Sequence, residues 1–308
     1  MNPQTPNRRD AIQAGLGALA LAGCGTTRNL ASGWIDAHSH IWTNDAEDLK
    51  KFPLATGRTA DDLNPARFTA EDLINLGKTQ GVHRHVIISH RHYHGYNNDY
   101  YTHAAAQHPG VFRIVGALDH RQPAVRARIR HNRPLGITGY RITPDGQGLR
   151  WLENDLLREF WGAAGQENVA ICPLINPEYV ATLPPIIRRF PATKVVIDHC
   201  ARITRKHTRE LQDLVALAKF PNVHVKISAF YAFDSKRPPY LEQIPRINVL
   251  LDAYGPSRLM WASDCPYQLT APNTYAASIS LIRDRLETLS TSDKEFLLRK
   301  TAEKVYFY

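Results

Sequence analysis

The sequence predicts an α/β protein of the (β/α)8, or TIM, barrel class, and three observations predict it. After residue 33, eight short β-branched runs alternate with longer amphipathic segments, and a final helix-like segment closes the chain. The stretch from residue 34 to the end at 308 has the length typical of such a barrel. No glycine-rich dinucleotide or P-loop fingerprint follows the first run, which argues against a doubly wound open sheet.

The elements follow in order. The strand-like runs cover 34–38, 85–89, 112–118, 136–142, 169–174, 194–199, 223–228 and 258–263. Each is a short apolar stretch, such as Val195-Val196-Ile197, too brief for a helix. Helix-like segments lie at 69–79, 98–107, 121–132, 152–166, 177–189, 206–219, 241–253 and 273–288. A last helix is expected over 292–307, with Ser292 as its N-cap. The segment 42–65 carries Asp45, Glu47, Asp48, Pro53 and Gly57, and reads as an extended first βα loop lying over the barrel mouth.

The first thirty residues stand apart. Arg8-Arg9 precede Asp10 and an apolar run from Ala11 to Gly23, too short to span a bilayer and suited to a signal h-region. Paired arginines before a weakly hydrophobic run resemble a twin-arginine export signal. Leu21-Ala22-Gly23-Cys24 resembles the bacterial lipoprotein cleavage box. The resemblance implies a signal peptide over 1–23 and acylation of Cys24. A tether over 24–33 would then join a membrane anchor to a single barrel domain, 34–308, on the periplasmic side of the cell envelope.

The chain has 43% hydrophobic and 22% charged residues and a formal net charge of +9. The basic residues are scattered, with neither a continuous stripe nor a known nucleic-acid module, so nucleic acid is not the expected partner. An anionic small-molecule substrate or an anionic membrane surface is the milder inference. Besides Cys24, Cys172, Cys200 and Cys265 form no CxxC pair and are odd in number, so no disulfide scaffold is expected.

Barrel chemistry sits at the C-terminal ends of the strands. Those ends carry His38 and His40, His90, Arg141, Cys172, His199, Lys226 and Asp264. Strand residues i and i+2 share a face, so His38 and His40 present both imidazoles to one side and can supply adjacent ligands to a divalent metal. The cluster His90-Arg91-His92-Tyr93-His94-Gly95 reads either as a solvated basic loop or as a carboxylate-binding wall with His90 nearest the site. Cys172 is either a small buried residue or one that faces the site, while alternation turns Cys200 and Cys265 away from it.

Asp36-Ala37-His38-Ser39-His40, Gly139-Tyr140-Arg141, Val196-Ile197-Asp198-His199, Val225-Lys226-Ile227-Ser228 and Trp261-Ala262-Ser263-Asp264-Cys265-Pro266 resemble segments of the amidohydrolase superfamily, in its amidohydrolase 2 branch. That branch holds lactonases and nonoxidative decarboxylases built on this barrel. The resemblance implies one divalent metal, usually zinc with manganese as the alternative, held by His38, His40, Asp264 and a histidine such as His199. Asp264 would move the proton of the attacking water. His199 would be a ligand or a donor to the substrate oxygen, and Arg141, aided by His90 or Lys226, would hold a substrate carboxylate.

The fifth strand departs from that pattern. It reads Ala170-Ile171-Cys172-Pro173-Leu174, where decarboxylases and many hydrolases of the branch carry a ligand histidine. Either Cys172 or His199 substitutes as a ligand, or the site works like the metal-independent lactonases of the branch. A lactone or ester hydrolase is therefore the leading expectation. A decarboxylase of an aromatic or unsaturated acid, or a non-catalytic binding lipoprotein, is the alternative.

Overall fold

The computed structural model describes residues 32–144, 146 and 148–308. The signal segment, Cys24 and the tether up to residue 31 lie outside the described residues. Eight parallel strands lie side by side in chain order, one for each run read from the sequence. They are β1 (Trp34–Ser39), β2 (Val82–Ile88), β3 (Phe112–Gly116), β4 (Ile137–Ile142), β5 (Ala170–Pro173), β6 (Lys194–Ile197), β7 (Val223–Ile227) and β8 (Leu259–Trp261). Helices cover the outside, so both faces of each strand are dry, and this is why the runs are continuously apolar rather than alternating.

The seam between β8 and β1 carries one ladder bridge, Ser39 to Cys265, and side chains complete it. Asp36 is buried there and accepts from Ser263 N–H (2.8 Å), Ser263 Oγ (2.5 Å), Ser39 Oγ (2.7 Å) and Tyr275 Oη (3.1 Å). Burial pushes its carboxyl above the usual range against these donors. Asp264 N–H donates to His38 O (2.8 Å) and His40 N–H to Cys265 O (2.7 Å), so the same seam aligns the histidine pair with Asp264.

Two details differ from expectation. The last helix is capped by Ser290, not Ser292, because Asp293 reaches back three residues to the Ser290 N–H while Ser290 Oγ accepts from the Asp293 N–H. The segment 42–65 also holds a helix, Ala46–Lys51, started by Asp45 accepting from the N–H groups of Glu47 and Asp48. Trp42 and Leu63 pack against Tyr93, which ties this segment to the β2 side of the mouth.

Candidate active site

Strands β6 and β8 end sooner than the apolar runs imply, at Ile197 and Trp261. The chain then turns through left-handed backbone at His199, Cys200, Ala201 and Arg202 (φ 49–57°), and again at Asp264 (φ 64°). Such conformations cost roughly 1–2 kcal/mol per non-glycine residue, and they persist where surrounding structure fixes them. Here they deliver side chains. A straight strand would turn only one of Asp198 and His199 inward, whereas the turn brings both to the site.

Asp264 is the centre. Its Oδ1 lies 3.5 Å from His38 Nε2 and 3.3 Å from His40 Nε2, and its Oδ2 lies 3.8 Å from His199 Nε2. Tyr231 Oη donates to Oδ2 at 2.8 Å. Burial alone would raise this carboxyl, but the surrounding His199, His40 and His38 hold it well below the usual carboxylate range. His199 itself is pushed down to about 4, first by burial, so its ring is neutral at physiological pH.

Beneath this ring lies a charged layer around Asp198. Lys226 Nζ stands 3.0 Å from Asp198 Oδ1, and Arg141 Nη2 3.2 Å from Asp198 Oδ2. Arginine only donates, so its 2.6 Å contact to His38 Nε2 makes that nitrogen an acceptor. His38 Nδ1 faces Asp198 Oδ1 at 3.4 Å and the Lys226 ammonium at 3.3 Å. Burial would raise Asp198, yet Lys226, His38 and Arg141 together keep it well below its ordinary value.

The open side is a cavity of ≈190 Å³ lined by Ser89, His90, Arg91, His92, Arg141 and Thr143, among others. His90 stacks on Tyr93 (ring centroids 4.1 Å apart) and bonds Tyr267 Oη through Nε2 at 2.8 Å. Its buried Nδ1 has no hydrogen-bond partner among the described residues. Burial and then His40 push its pKa down to about 2. The strand stops at Ile88 and a short helix, Arg91–His94, scatters the three histidines: His90 lines the cavity, His92 meets Arg58 (3.2 Å), and His94 is buried against Tyr100 and Tyr101.

A divalent cation fits the donors. His40 Nδ1 lies 2.9 Å from Ile88 O, which can only accept, so in the neutral ring His40 Nε2 presents its lone pair to a carboxylate oxygen. Two acceptors 3.3 Å apart repel unless a cation or proton stands between them. His38, His199 and Asp264 each offer a ligand atom within 4.8 Å of the others. The remaining nitrogens of His38, His40 and His199 are braced by Asp198, Ile88 O and Ser228 Oγ, as metal-binding imidazoles require. Arg141 is the competing cation, because it already holds the His38 lone pair.

Two expected residues sit elsewhere. Lys226, expected to help hold a substrate carboxylate, is fully buried and ion-paired with Asp198, because β7 turns it toward the barrel axis below the cavity. Cys172 also faces the axis, but its thiol meets Tyr306 Oη at 3.5 Å, and burial raises its pKa to about 11, which disfavours the thiolate a metal needs. Cys200 and Cys265 pack in the outer core. Asp198, Tyr231 and Tyr267 are site residues that the sequence reading did not single out. Asp198 was findable two residues beyond the inward Val196 on β6, whereas nothing local marks the two tyrosines.

The amidohydrolase family profile matches residues 35–308. An L-fucono-1,5-lactonase from Burkholderia ambifaria is 27% identical over 245 residues, spanning 75% of this chain and 80% of that protein. Among solved structures, a probable 2-pyrone-4,6-dicarboxylic acid hydrolase from Acinetobacter baumannii with citric acid bound superposes with a TM-score of 0.74 at 20% identity, covering 90% of this chain and 100% of that one. An amidohydrolase from Burkholderia multivorans with zinc bound gives 0.73 at 20% identity, covering 90% and 99%. At these identities the superpositions speak for the fold.

Proposed function

The chain belongs to the amidohydrolase family, and from that premise we propose that it is a hydrolase that opens a lactone or ester of a small acidic metabolite by attack of an activated water. The observation that carries this reading is Asp264, an ionised carboxylate ringed by three imidazoles, next to Arg141 and His90, which line a cavity. The likeness to a lactonase supports a cyclic ester as substrate.

In this mechanism Arg141 and the unpartnered His90 Nδ1 hold the acidic end of the substrate. Asp264 accepts the proton of the attacking water and returns it to the leaving alkoxide oxygen as the ring opens. Ser228 can donate to or accept from His199 Nδ1, so His199 Nε2 can act as a donor to the substrate carbonyl or as a ligand. His38, His40, His199 and Asp264 would hold a divalent ion, zinc or manganese, which when bound would polarise the carbonyl and acidify the water. The inward residue of β5 is Cys172 rather than histidine, which favours hydrolysis over decarboxylation. We further propose that the protein is exported and acylated at Cys24.

The test is acid release from a panel of lactones, L-fucono-1,5-lactone included, and of esters, followed in a pH-stat. Turnover is expected for at least one compound and should fall about 10²–10⁴-fold in Asp264→Asn with binding retained. Carbon dioxide release without ester cleavage would replace this reading with the decarboxylase, and binding without turnover with the binding protein. Elemental analysis of protein purified without chelators, beside His38→Ala, decides the metal. About one ion per chain lost in the variant supports the metal-assisted form, and none in either supports the metal-independent one.

A further inference from the structure

The barrel axis beneath the site is filled from the far end of the chain. Tyr306, two residues from the C-terminus, is fully buried in the inner cluster with Val115, Ala170, Cys172 and Val196. Gly139 on β4 makes room for it: a Cβ there would meet Val115 Cγ2 at 3.2 Å, Ala170 O at 3.3 Å and Tyr306 Cε1 at 3.4 Å. The Tyr306 hydroxyl reaches Cys172 Sγ, and its ring faces the ammonium of Lys226, with Nζ 5.5 Å from the centroid.

Lys226 is 0% exposed, and its remaining neighbours are Asp198 Oδ1 (3.0 Å) and His38 Nδ1 (3.3 Å). The ammonium is thus clamped between a carboxylate and an aromatic face, out of water, where a cation–π contact is strongest. Its four-carbon stem is flexible and does not fix the head by itself. Asp198 in turn contacts Arg141 and Nδ1 of His38.

We propose that Tyr306 is a positioning residue, its ring the floor that holds the Lys226 ammonium against Asp198 and thereby fixes the surroundings of the His38 ring. The kinetic consequence rests on the hydrolase reading above; the structural one does not. A side chain two residues from the end of the chain, contributed by no strand, governs the geometry of the catalytic layer.

The experiment uses the full chain with ¹⁵N-labelled histidine, the His38 ring nitrogens being assigned by their loss in His38→Gln. Tyr306→Phe keeps the ring and is expected to leave the His38 shifts and kcat within about twofold of wild type. Tyr306→Met fills the space without an aromatic face. It is expected to move the His38 shifts and lower kcat about tenfold or more, with KM within about twofold, as loss of a bracing group does. In a Lys226→Met background the same change should add nothing, because its effect passes through the ammonium. A folded Tyr306→Met with unchanged His38 shifts and kcat would overturn the proposal, as would an equally large effect without Lys226. If Tyr306→Met does not fold, Gly139→Ala crowds the same ring while leaving every polar group in place, and unchanged His38 shifts there count equally against it. If the wild type opens no compound in the panel, the hydrolase reading fails, and the His38 shifts still decide the role of Tyr306.

Discussion

At Asp198 one buried carboxylate faces Lys226, Arg141 and His38 Nδ1, and the charge layer closes on it. Removing one member of such a group leaves the others buried and unpaired, which costs more than the pair contributes. Asp198→Asn is therefore expected to destabilise the protein by about 3–5 kcal/mol, read as a drop in the urea midpoint. Lys226→Met, which removes one of the stranded cations, should recover part of that loss in the double variant. A midpoint within error of wild type for Asp198→Asn would show that the cations find other partners. At this scale the sequence was legible wherever a strand speaks for itself: His38, His40 and Arg141 lie where alternation puts them. Lys226 was misjudged because its position on a strand does not reveal that a carboxylate from the turn after the preceding strand waits inside the barrel.

Among the elements, the helices Val125–Asn132 and Asp155–Gln166 are tied by Glu167, the C-cap of the second. Its carboxylate accepts from Arg126 Nε at 2.7 Å and Arg130 Nη2 at 2.8 Å, two arginines one helical turn apart on the same face. These contacts, that of Arg130 foremost, hold its pKa down to about 2. A depressed carboxylate pKa gives stability that is present above the unfolded value near 4.5 and is lost as pH falls toward the folded value of about 2. Between pH 5 and pH 2 the urea midpoint of wild type should therefore fall more steeply than that of Glu167→Gln, and salt should shrink the difference because both arginines are largely exposed. Parallel slopes would show that the clasp is silent. All eight strands were readable from apolar runs bounded by turns, since length and β-branching separate a buried strand from a helix. Their ends were less so. The left-handed turns after β6 and before Cys265 are fixed by packing, and no glycine in the sequence announces them.

For the whole molecule, the formal charge of +9 and the arginine pair, apolar run and Cys24 box concern where the protein resides. If Cys24 is acylated, Cys24→Ser should move the protein from the membrane fraction to the soluble envelope fraction with its turnover per molecule unchanged; a wild type already soluble there would dismiss the anchor. Among the described residues no helix is long and apolar enough to cross a membrane. The sequence by itself determined the barrel and put His38 and His40 on one face of its first strand, because strand periodicity is a local rule carried by neighbouring residues. The tertiary structure alone decided which cations share Asp198, that Tyr231 bonds Asp264, and that Tyr306 floors the site. Those contacts join residues 28 to 80 positions apart, and they form only when the sheet has curled far enough to bring separate strands and the chain end onto one axis.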